Sequence, residues 1–323
     1  MRFLVVSIDG TLRGRRSVEE EQGRVKVARA RAIDTPQAQG YTAGVSGAYL
    51  VRPVRHTLPE AGALLAVERK SLGDSPYAAR EILKVLRRPE HYAYVACLGS
   101  MVVGFCSSFE TASDQGSRLE LDMLGVLPAH RHRGLGTALV RTSMGEALRR
   151  GVREFRAVVA VDNVASHLVF VGAGLATLPH RFDMMICEIS DRLPVDFLPE
   201  GWSWHAGGLG RPEPTSDGLA SGRETHTLKD QAGAIAAVAQ CLQVHTLAYR
   251  GLWLEKLWGA SRRATRLAAR AVVERAKVLG LDEIGYLTPS RGDADDQVGN
   301  SAALLREGYK RVGSYDVFKA RRA

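Results

Sequence analysis

The chain has 323 residues, of which 45% are hydrophobic and 24% charged, and its net charge is +9. This composition is typical of a globular protein with two domains, and the longest apolar runs are too short to cross a bilayer. Aromatic residues make up only 7%, and no dense Lys/Arg block occurs. We therefore expect an anionic ligand rather than a nucleic acid or a membrane surface.

The four cysteines do not form a CxxC motif, so we predict buried, reduced thiols, no metal site and a cytoplasmic protein. They are Cys97, Cys106, Cys187 and Cys241. The apolar run in residues 1–7 is too short for a secretory signal. A short strand is predicted at residues 3–8, within an N-terminal extension that covers residues 1–48.

Hydrophobic periodicity predicts a mixed α/β domain over residues 49–190. The predicted strands are 50–55, 92–98, 101–109, 118–126, 155–161 and one or two within 175–189. The predicted helices are 59–71, 77–87, 137–150 and 163–172.

The stretch from Val126 to Gly136 joins a predicted strand to a predicted helix and reads VLPAHRHRGLG. A helix that begins at such a turn presents unpaired backbone N–H groups and the positive end of its dipole, which together favour phosphate binding. Gly134 and Gly136 would let the backbone approach a ligand closely. Arg131 and Arg133 would add positive charge.

Residues 191–224 are rich in Pro, Gly and Ser and are predicted to be a linker. Residues 225–323 then repeat the second part of the first domain, which indicates a duplicated, paired architecture. The predicted elements are strands at 225–229, 234–244, 252–258, 282–287 and 310–319, and helices at 262–279 and 300–306. Counting back from Gly280 as from Gly151, Arg263 and Thr265 replace the two turn glycines, so this lobe is expected to be degenerate.

These features resemble the GNAT superfamily of acyl-CoA-dependent N-acyltransferases. The resemblance is carried by two blocks, Val126, Pro128, Arg131, Gly134 and Gly136, followed by Asn163, Ser166, Phe170 and Gly174. It covers residues 49–189 well and 225–320 weakly. The fold it implies is a mixed, mostly antiparallel sheet with helices on both faces, followed by a second, partial GNAT-like lobe.

The resemblance also implies acetyl-CoA as co-substrate. Its arm would lie where the strand ending at Val126 separates from the strand at 155–161, near a bulge at Gly125, and the Val126 N–H would polarise the thioester carbonyl. The expected cofactor-binding residues are Leu124, Val126, Arg131, His132, Arg133, Gly134, Leu135, Gly136, Thr137, Asn163, Ser166 and Phe170.

Glu120 and Asp122 are the candidate bases, and the position of Asp122 matches a carboxylate found in several family members. Leu119, Leu121 and Met123 alternate with them, so we expect the two carboxylates on one strand face and the three apolar residues on the other. The alternative is that both carboxylates are merely solvated.

Phe170 stands where the family often has a tyrosine that protonates the leaving thiolate, and a phenyl ring cannot donate a proton. Either the thiolate leaves without being protonated by the protein, or another group donates the proton. Ser166 and His167 are nearby in sequence.

The leading hypothesis is an N-acetyltransferase that acts on an amine of a small molecule or peptide. The alternative is a non-catalytic acyl-CoA-binding or interaction protein, and a nucleic-acid-binding protein is a third possibility. The sequence leaves the acceptor open, and it leaves open whether the protein is a monomer or a homodimer.

Overall fold

The computed structural model describes residues 48–189, 198–206, 223–290 and 298–321, except for 74, 76, 114, 115 and 248. The predicted strand at 3–8, with nearly all of the N-terminal extension, lies outside the described residues. The helices are α1 (Leu58–Ser71), α2 (Ala79–Leu86), α3 (Leu135–Arg149), α4 (Val164–Ala173), α5 (Arg262–Val278) and α6 (Val298–Arg306).

The strands of the N-terminal lobe are β1 (Tyr49–Pro53), β2 (His91–Leu98), β3 (Met101–Ser113), β4 (Gly116–Val126), β5 (Glu154–Ala160) and β6 (Ala176–Glu188). Those of the C-terminal lobe are β7 (Ser203–Ala206), β8 (Arg223–Lys229), β9 (Ile235–His245), β10 (Arg250–Gly259), β11 (Glu283–Pro289) and β12 (Lys310–Arg321). The segment 175–189 forms a single strand. The predicted linker contains β7, which pairs with β8.

The described strands form one twelve-stranded sheet in the order β1-β2-β3-β4-β5-β12-β6-β11-β10-β9-β8-β7. Of the described pairs, β4/β5 and β10/β11 are parallel and the others are antiparallel. The mixed, mostly antiparallel α/β fold is thus confirmed, and the repeated order of strands confirms the predicted duplication.

The two lobes exchange their last strands, which the sequence analysis did not foresee. β12 follows β11 in the chain but pairs with β5 of the N-terminal lobe, while β6 pairs with β11 of the C-terminal lobe. β12 and β6 then pair with each other at the centre of the sheet. Each lobe therefore contributes its last strand to the other lobe, because β6 does not pair with β5 and β12 does not pair with β11.

Helices cover both faces of the N-terminal half of the sheet. α3 and α4 pack in a cluster that includes Leu121, Leu139 and Phe170, whereas α1 and α2 pack on the opposite face with Leu64 and Val85. α5 and α6 pack on the C-terminal half of the sheet.

The sheet also curls, because Arg223 of β8 donates to Ala112 O of β3 at 2.7 Å although seven strands separate β8 from β3 in the sheet order. The two lobes face each other across this inner surface. Among the described residues, no helix is both long and apolar enough to span a bilayer.

Candidate active site

β4 and β5 separate along part of their length, as the sequence analysis expected. They pair in parallel from Arg118/Glu154 to Leu121/Ala157, and the pairing stops there. β4 nevertheless continues to Val126 against β3. A gap therefore opens beside the last five residues of β4.

The backbone of β4 faces this gap at Leu124 and Val126. The hydrogen bond from Leu127 N to Val103 O (2.8 Å) places Val126, and by alternation Leu124, at non-hydrogen-bonded positions of the β3/β4 ladder. The N–H groups at such positions point away from the paired strand. They therefore point toward the side from which β5 has separated.

The bulge in β4 lies at Asp122, and the expectation of a bulge at Gly125 was wrong. Ser107 pairs with Met123 and Ser108 with Leu121, which leaves Asp122 as the extra residue. The absence of a side chain at Gly125 has another cause. A Cβ there would lie 2.7 Å from the Ser71 hydroxyl, so Gly125 lets the end of α1 approach β4.

The bulge also resets the alternation of the strand. Leu119, Leu121 and Leu124 pack with α3, whereas Met123 packs on the opposite face with α1 and α2. The expectation that Leu119, Leu121 and Met123 share one face was therefore wrong.

Residues 127–134, which we call the long turn, connect β4 to α3. His132 and Gly134 adopt left-handed backbone conformations, with φ of 59° and 75°. Gly134 is the N-cap of α3, and no side chain caps the helix there. The first-turn N–H groups of α3, at Leu135, Gly136 and Thr137, are therefore available to an anion.

Arg131 ties the long turn to the end of β4. Its Nε donates to Val126 O at 3.1 Å, and its Nη2 donates to Ser71 O at 3.3 Å. His130 Nδ1 lies 2.9 Å from the Tyr49 hydroxyl. His132, Arg133 and Gly134 are exposed. The structure thus brings the predicted turn residues together with Leu124 and Val126 at one edge of the gap.

Gly136 has a packing role that the sequence analysis did not anticipate. It is buried, and a Cβ there would lie 3.0 Å from Val169 Cγ2 and 3.6 Å from Leu124 Cδ2. This glycine therefore allows α4 to pack against the first turn of α3. Its side-chain position faces protein, while its N–H belongs to the uncapped turn.

The predicted residues of α4 have structural partners. The Asn163 side chain caps α4 by accepting from Ser166 N at 3.1 Å, and Ser166 is fully buried. Phe170 is also fully buried, and its ring lies 5.6 Å from that of Phe318 on the exchanged strand β12. The His167 ring packs edge-on against the Phe318 ring, with the ring centres 5.1 Å apart, and its Nε2 lies 3.2 Å from Ala160 O.

Asp122 is completely buried beneath a turn of the C-terminal lobe. Its Oδ2 lies 3.5 Å from Ser107 Oγ, which in turn lies 2.9 Å from His91 Nε2. Thr246, in the turn between β9 and β10, also donates a hydrogen bond to this carboxylate. Asp122 Oδ1 and His91 Nδ1 have no hydrogen-bond partner among the described residues.

Burial raises the pKa of Asp122 to about 7, although the hydrogen bonds from Thr246 and Ser107 oppose the shift. Burial also lowers the pKa of His91 to about 3, so this imidazole is neutral near pH 7. A carboxyl with a pKa near neutrality is suited to accept a proton during turnover.

Glu120 has a different environment. Its two carboxylate oxygens lie 2.6 Å from Arg118 Nε and 2.8 Å from Arg156 Nε. These two guanidinium groups outweigh burial and lower the pKa of Glu120. The carboxylate is thus a permanently ionised member of a buried ion network, a poor position for a base. The alternative of solvated carboxylates is also wrong, because both Glu120 and Asp122 are buried.

The C-terminal lobe repeats this geometry up to its turn and then departs from it. β10 and β11 stop pairing after Leu254/Tyr286, and β10 has its bulge at Glu255. Only residues 260 and 261, which we call the short turn, separate β10 from α5. The short turn is thus six residues shorter than the long turn. The sequence analysis had predicted only that two glycines are replaced.

The short turn closes the end of α5. Ser261 caps the helix by accepting from Ala264 N at 3.1 Å. Thr265 packs against the end of β10, because a Cβ at Gly259 would lie 2.4 Å from Thr265 Oγ1. Among the described residues, the N-terminus of α5 is therefore capped and packed, with no open space for an anion.

Comparison with known proteins agrees with this geometry. Residues 63–173 match the model of the acetyltransferase (GNAT) family. The matched residues run from α1 to α4 of the N-terminal lobe. No curated protein matches the sequence.

Two solved structures illustrate the fold of the whole chain. One is a tandem GNAT protein from the clavulanic acid biosynthesis pathway, 17% identical with a TM-score of 0.51, where the match covers 84% of this chain and 98% of that one. The other is a GCN5-related N-acetyltransferase from Sphaerobacter thermophilus, 13% identical with a TM-score of 0.56 and coverage of 86% and 96%. Both matches show that the fold of this chain is shared over more than four fifths of its length.

The site contains residues that the sequence analysis missed. Ser107 lies inside a predicted strand, His91 lies directly before one, and Thr246 lies in a turn of the other lobe. Only their meeting at Asp122 gives them a common role. Within the described part of the chain, no cluster of His, Cys, Asp or Glu is arranged to hold a metal ion.

Proposed function

We propose that the N-terminal lobe is an N-acetyltransferase that transfers an acetyl group from acetyl-CoA to an amine of a small molecule or peptide. The observation that carries this proposal is the uncapped end of α3, which lies beside a gap faced by the N–H groups of Leu124 and Val126. This arrangement suits a ligand with a pyrophosphate at one end and an amide-containing arm.

In this proposal the first turn of α3, together with the long turn before it, binds the pyrophosphate. The N–H groups of Leu135, Gly136 and Thr137 would donate to its oxygens, and Arg133 would add charge from solvent. Arg131 would position the turn through Val126 O. The remaining predicted contacts, His132, Gly134, Asn163, Ser166 and Phe170, stay predictions, and Asn163 and Phe170 also have the structural roles described above.

The chemical step forms a C–N bond and breaks the C–S bond of the thioester. The Val126 N–H would stabilise negative charge on the carbonyl oxygen as the amine attacks. Asp122 would accept the amine proton, supported by Ser107 and Thr246. Phe170 cannot protonate the leaving group. CoA would therefore depart as the thiolate anion and take its proton from solvent.

Thr246, which donates to Asp122, and Leu247, which packs in the cluster that contains Met123, are both buried. Acceptor binding in this proposal therefore requires the turn between β9 and β10 to move. With Thr246 beside Asp122, residues of both lobes would form the acceptor pocket. Glu120 takes no part in the proposed reaction, because it forms ion pairs with Arg118 and Arg156.

The test is acetyl-CoA-dependent release of free CoA by the full chain, over a panel of small amines and peptides with free amino groups. Turnover that requires an amine supports the proposal. Saturable acetyl-CoA binding without turnover on any amine would favour the second candidate, a non-catalytic acyl-CoA-binding protein. The complete burial of both Asp122 and Phe170 is the observation in favour of that candidate.

A further inference from the structure

A cavity of about 250 Å³ lies between the two lobes, on the inner surface of the curled sheet. It is bounded on one side by Leu254 and Glu255, where β10 separates from β11, and on the other by Arg118 and Arg156 at the beginning of β4 and β5. Arg118 is eight residues from Val126, which is roughly 25 Å along a strand. The cavity is therefore distinct from the proposed acetyl-CoA gap.

Positive charge dominates the cavity wall. Among the lining residues Glu255 is the one carboxylate, and five are cationic, namely Arg118, Arg156, Arg223, Lys256 and Lys319. Two further carboxylates, Glu120 and Glu154, lie beside the cluster. Even with these included, cations outnumber anions.

The ion pairs leave part of this charge uncompensated. Glu255 is shared between Arg223 Nε at 2.6 Å and Arg118 Nη2 at 3.8 Å. Arg118 Nη2 is buried and makes no hydrogen bond to a described residue. Burial, together with Arg156 and Arg118, lowers the pKa of Lys319. A positively charged wall of this kind favours an anion.

Part of the cavity wall is apolar. It is formed by Trp253 of β10, Leu178 and Phe182 of β6, Leu287 of β11 and Val317 of β12. Three of these strands meet only because the lobes exchange β6 and β12. The cavity thus offers cationic groups for a charged end of a ligand and apolar side chains for a hydrocarbon or aromatic body.

We propose that the interlobe cavity binds a small organic carboxylate with an apolar body. Guanidinium groups bind carboxylates with paired hydrogen bonds, and the apolar wall would cover the rest of the molecule. The C-terminal lobe thus keeps a ligand site after losing its long turn.

The experiment is isothermal titration of the full chain with benzoate, phenylacetate and isobutyrate at constant ionic strength. Benzamide, the uncharged counterpart of benzoate, is the ligand control. We expect saturable binding of at least one carboxylate and none of benzamide. No saturable binding of any of the three, or equal binding of benzamide, would overturn the proposal.

Two variants locate the site. Lys319→Gln removes a cation at the cavity and should weaken carboxylate binding about tenfold, with recovery in Lys319→Arg. Lys310→Gln is the matched control, because Lys310 lies on the same strand but is outside the cavity and pairs with exposed Glu188.

Leu178→Trp keeps every charge and fills the cavity, so it should abolish carboxylate binding. Acetyl-CoA affinity should stay at the wild-type value in both the Lys319→Gln and Leu178→Trp proteins, which also reports that they are folded. Carboxylate binding that is unchanged in both variants would place the ligand elsewhere and overturn the assignment.

Discussion

The long turn and the short turn connect the same two elements in the two lobes, yet they leave the following helix in opposite states. In both lobes a parallel strand pair separates and the longer strand carries an acidic residue at a bulge, Asp122 or Glu255. In the N-terminal lobe, α3 begins at Gly134 without a side-chain cap. In the C-terminal lobe, Ser261 caps α5 and the helix packs directly on the end of β10.

The difference shows how an anion site can be lost while the fold is kept. The first-turn N–H groups of a helix need partners, which a ligand or a capping side chain can supply. The long turn holds its helix end open, whereas the short turn satisfies the N–H groups within the protein. Shortening the turn removes the proposed pyrophosphate site without disturbing the strands.

The largest effect is expected from Gly134→Glu. A carboxylate at the open helix end would repel the pyrophosphate, and like-charge contacts cost several kcal/mol, so acetyl-CoA affinity should fall more than about hundredfold. Affinity is measured by isothermal titration of the purified protein.

Gly134→Ala is the matched control, because both variants place a side chain at φ of 75° and share the same backbone strain. The alanine protein should bind acetyl-CoA much more tightly than the glutamate protein. Equal affinities in the two variants would mean that charge at the long turn is irrelevant.

Asp122→Asn should lower turnover by about 10²–10⁴-fold, the range for loss of a general base. Acetyl-CoA affinity should change little, since the N–H groups that face the gap belong to Leu124 and Val126. Steady-state CoA release measures the first and titration the second. Asp282→Asn makes the same chemical change at an exposed residue of the C-terminal lobe and should leave turnover intact. Equal turnover in the two variants would remove Asp122 as the base.

The contribution of the C-terminal lobe to this base can be tested through pH. Asp122 has a pKa of about 7, so activity should rise with pH through that value as the carboxyl ionises. The hydrogen bond from Thr246 lowers this pKa, and Thr246→Val should therefore move the rising limb to higher pH.

Thr246→Ser retains a hydroxyl and should restore the wild-type profile. If activity rises at the same pH in Thr246→Val as in the wild type, Thr246 has only a packing role. The same pKa predicts that the contribution of Asp122 to stability falls as pH rises from about 4 to 7, because the folded protein holds the Asp122 proton more tightly than the unfolded chain. Urea unfolding of the wild type and of Asp122→Asn at several pH values measures this contribution as the difference between their two pH dependences.

The smallest effect is expected at the short turn. Ser261→Ala removes the cap of α5 and should reduce the free energy of unfolding by about 1 kcal/mol, as measured by urea denaturation. Acetyl-CoA affinity should not change, and titration should still give one acetyl-CoA per chain. A stoichiometry of two, in this variant or in the wild type, would contradict the closed C-terminal site.

Much of this protein follows from local sequence. Helical and strand periodicity predicted most elements from residue 49 onward to within a few residues, because side chains that alternate between core and solvent leave a repeating pattern. The long turn was recognisable because Gly134 and its neighbouring arginines form an unusual local composition. The duplication was visible in the repeated order of elements.

Tertiary structure decided the rest. Pairing partners of a strand are not encoded in the strand, so the exchange of β6 and β12 could not be read from periodicity, and neither could the cavity that the exchange builds. One extra residue at Asp122 reversed the side on which Met123 lies. Two arginines form ion pairs with Glu120. Thr246 of the other lobe donates a hydrogen bond to Asp122. Local chemistry thus determined which groups this chain possesses, while contacts between residues far apart in sequence determined which of them are buried, paired or poised to react.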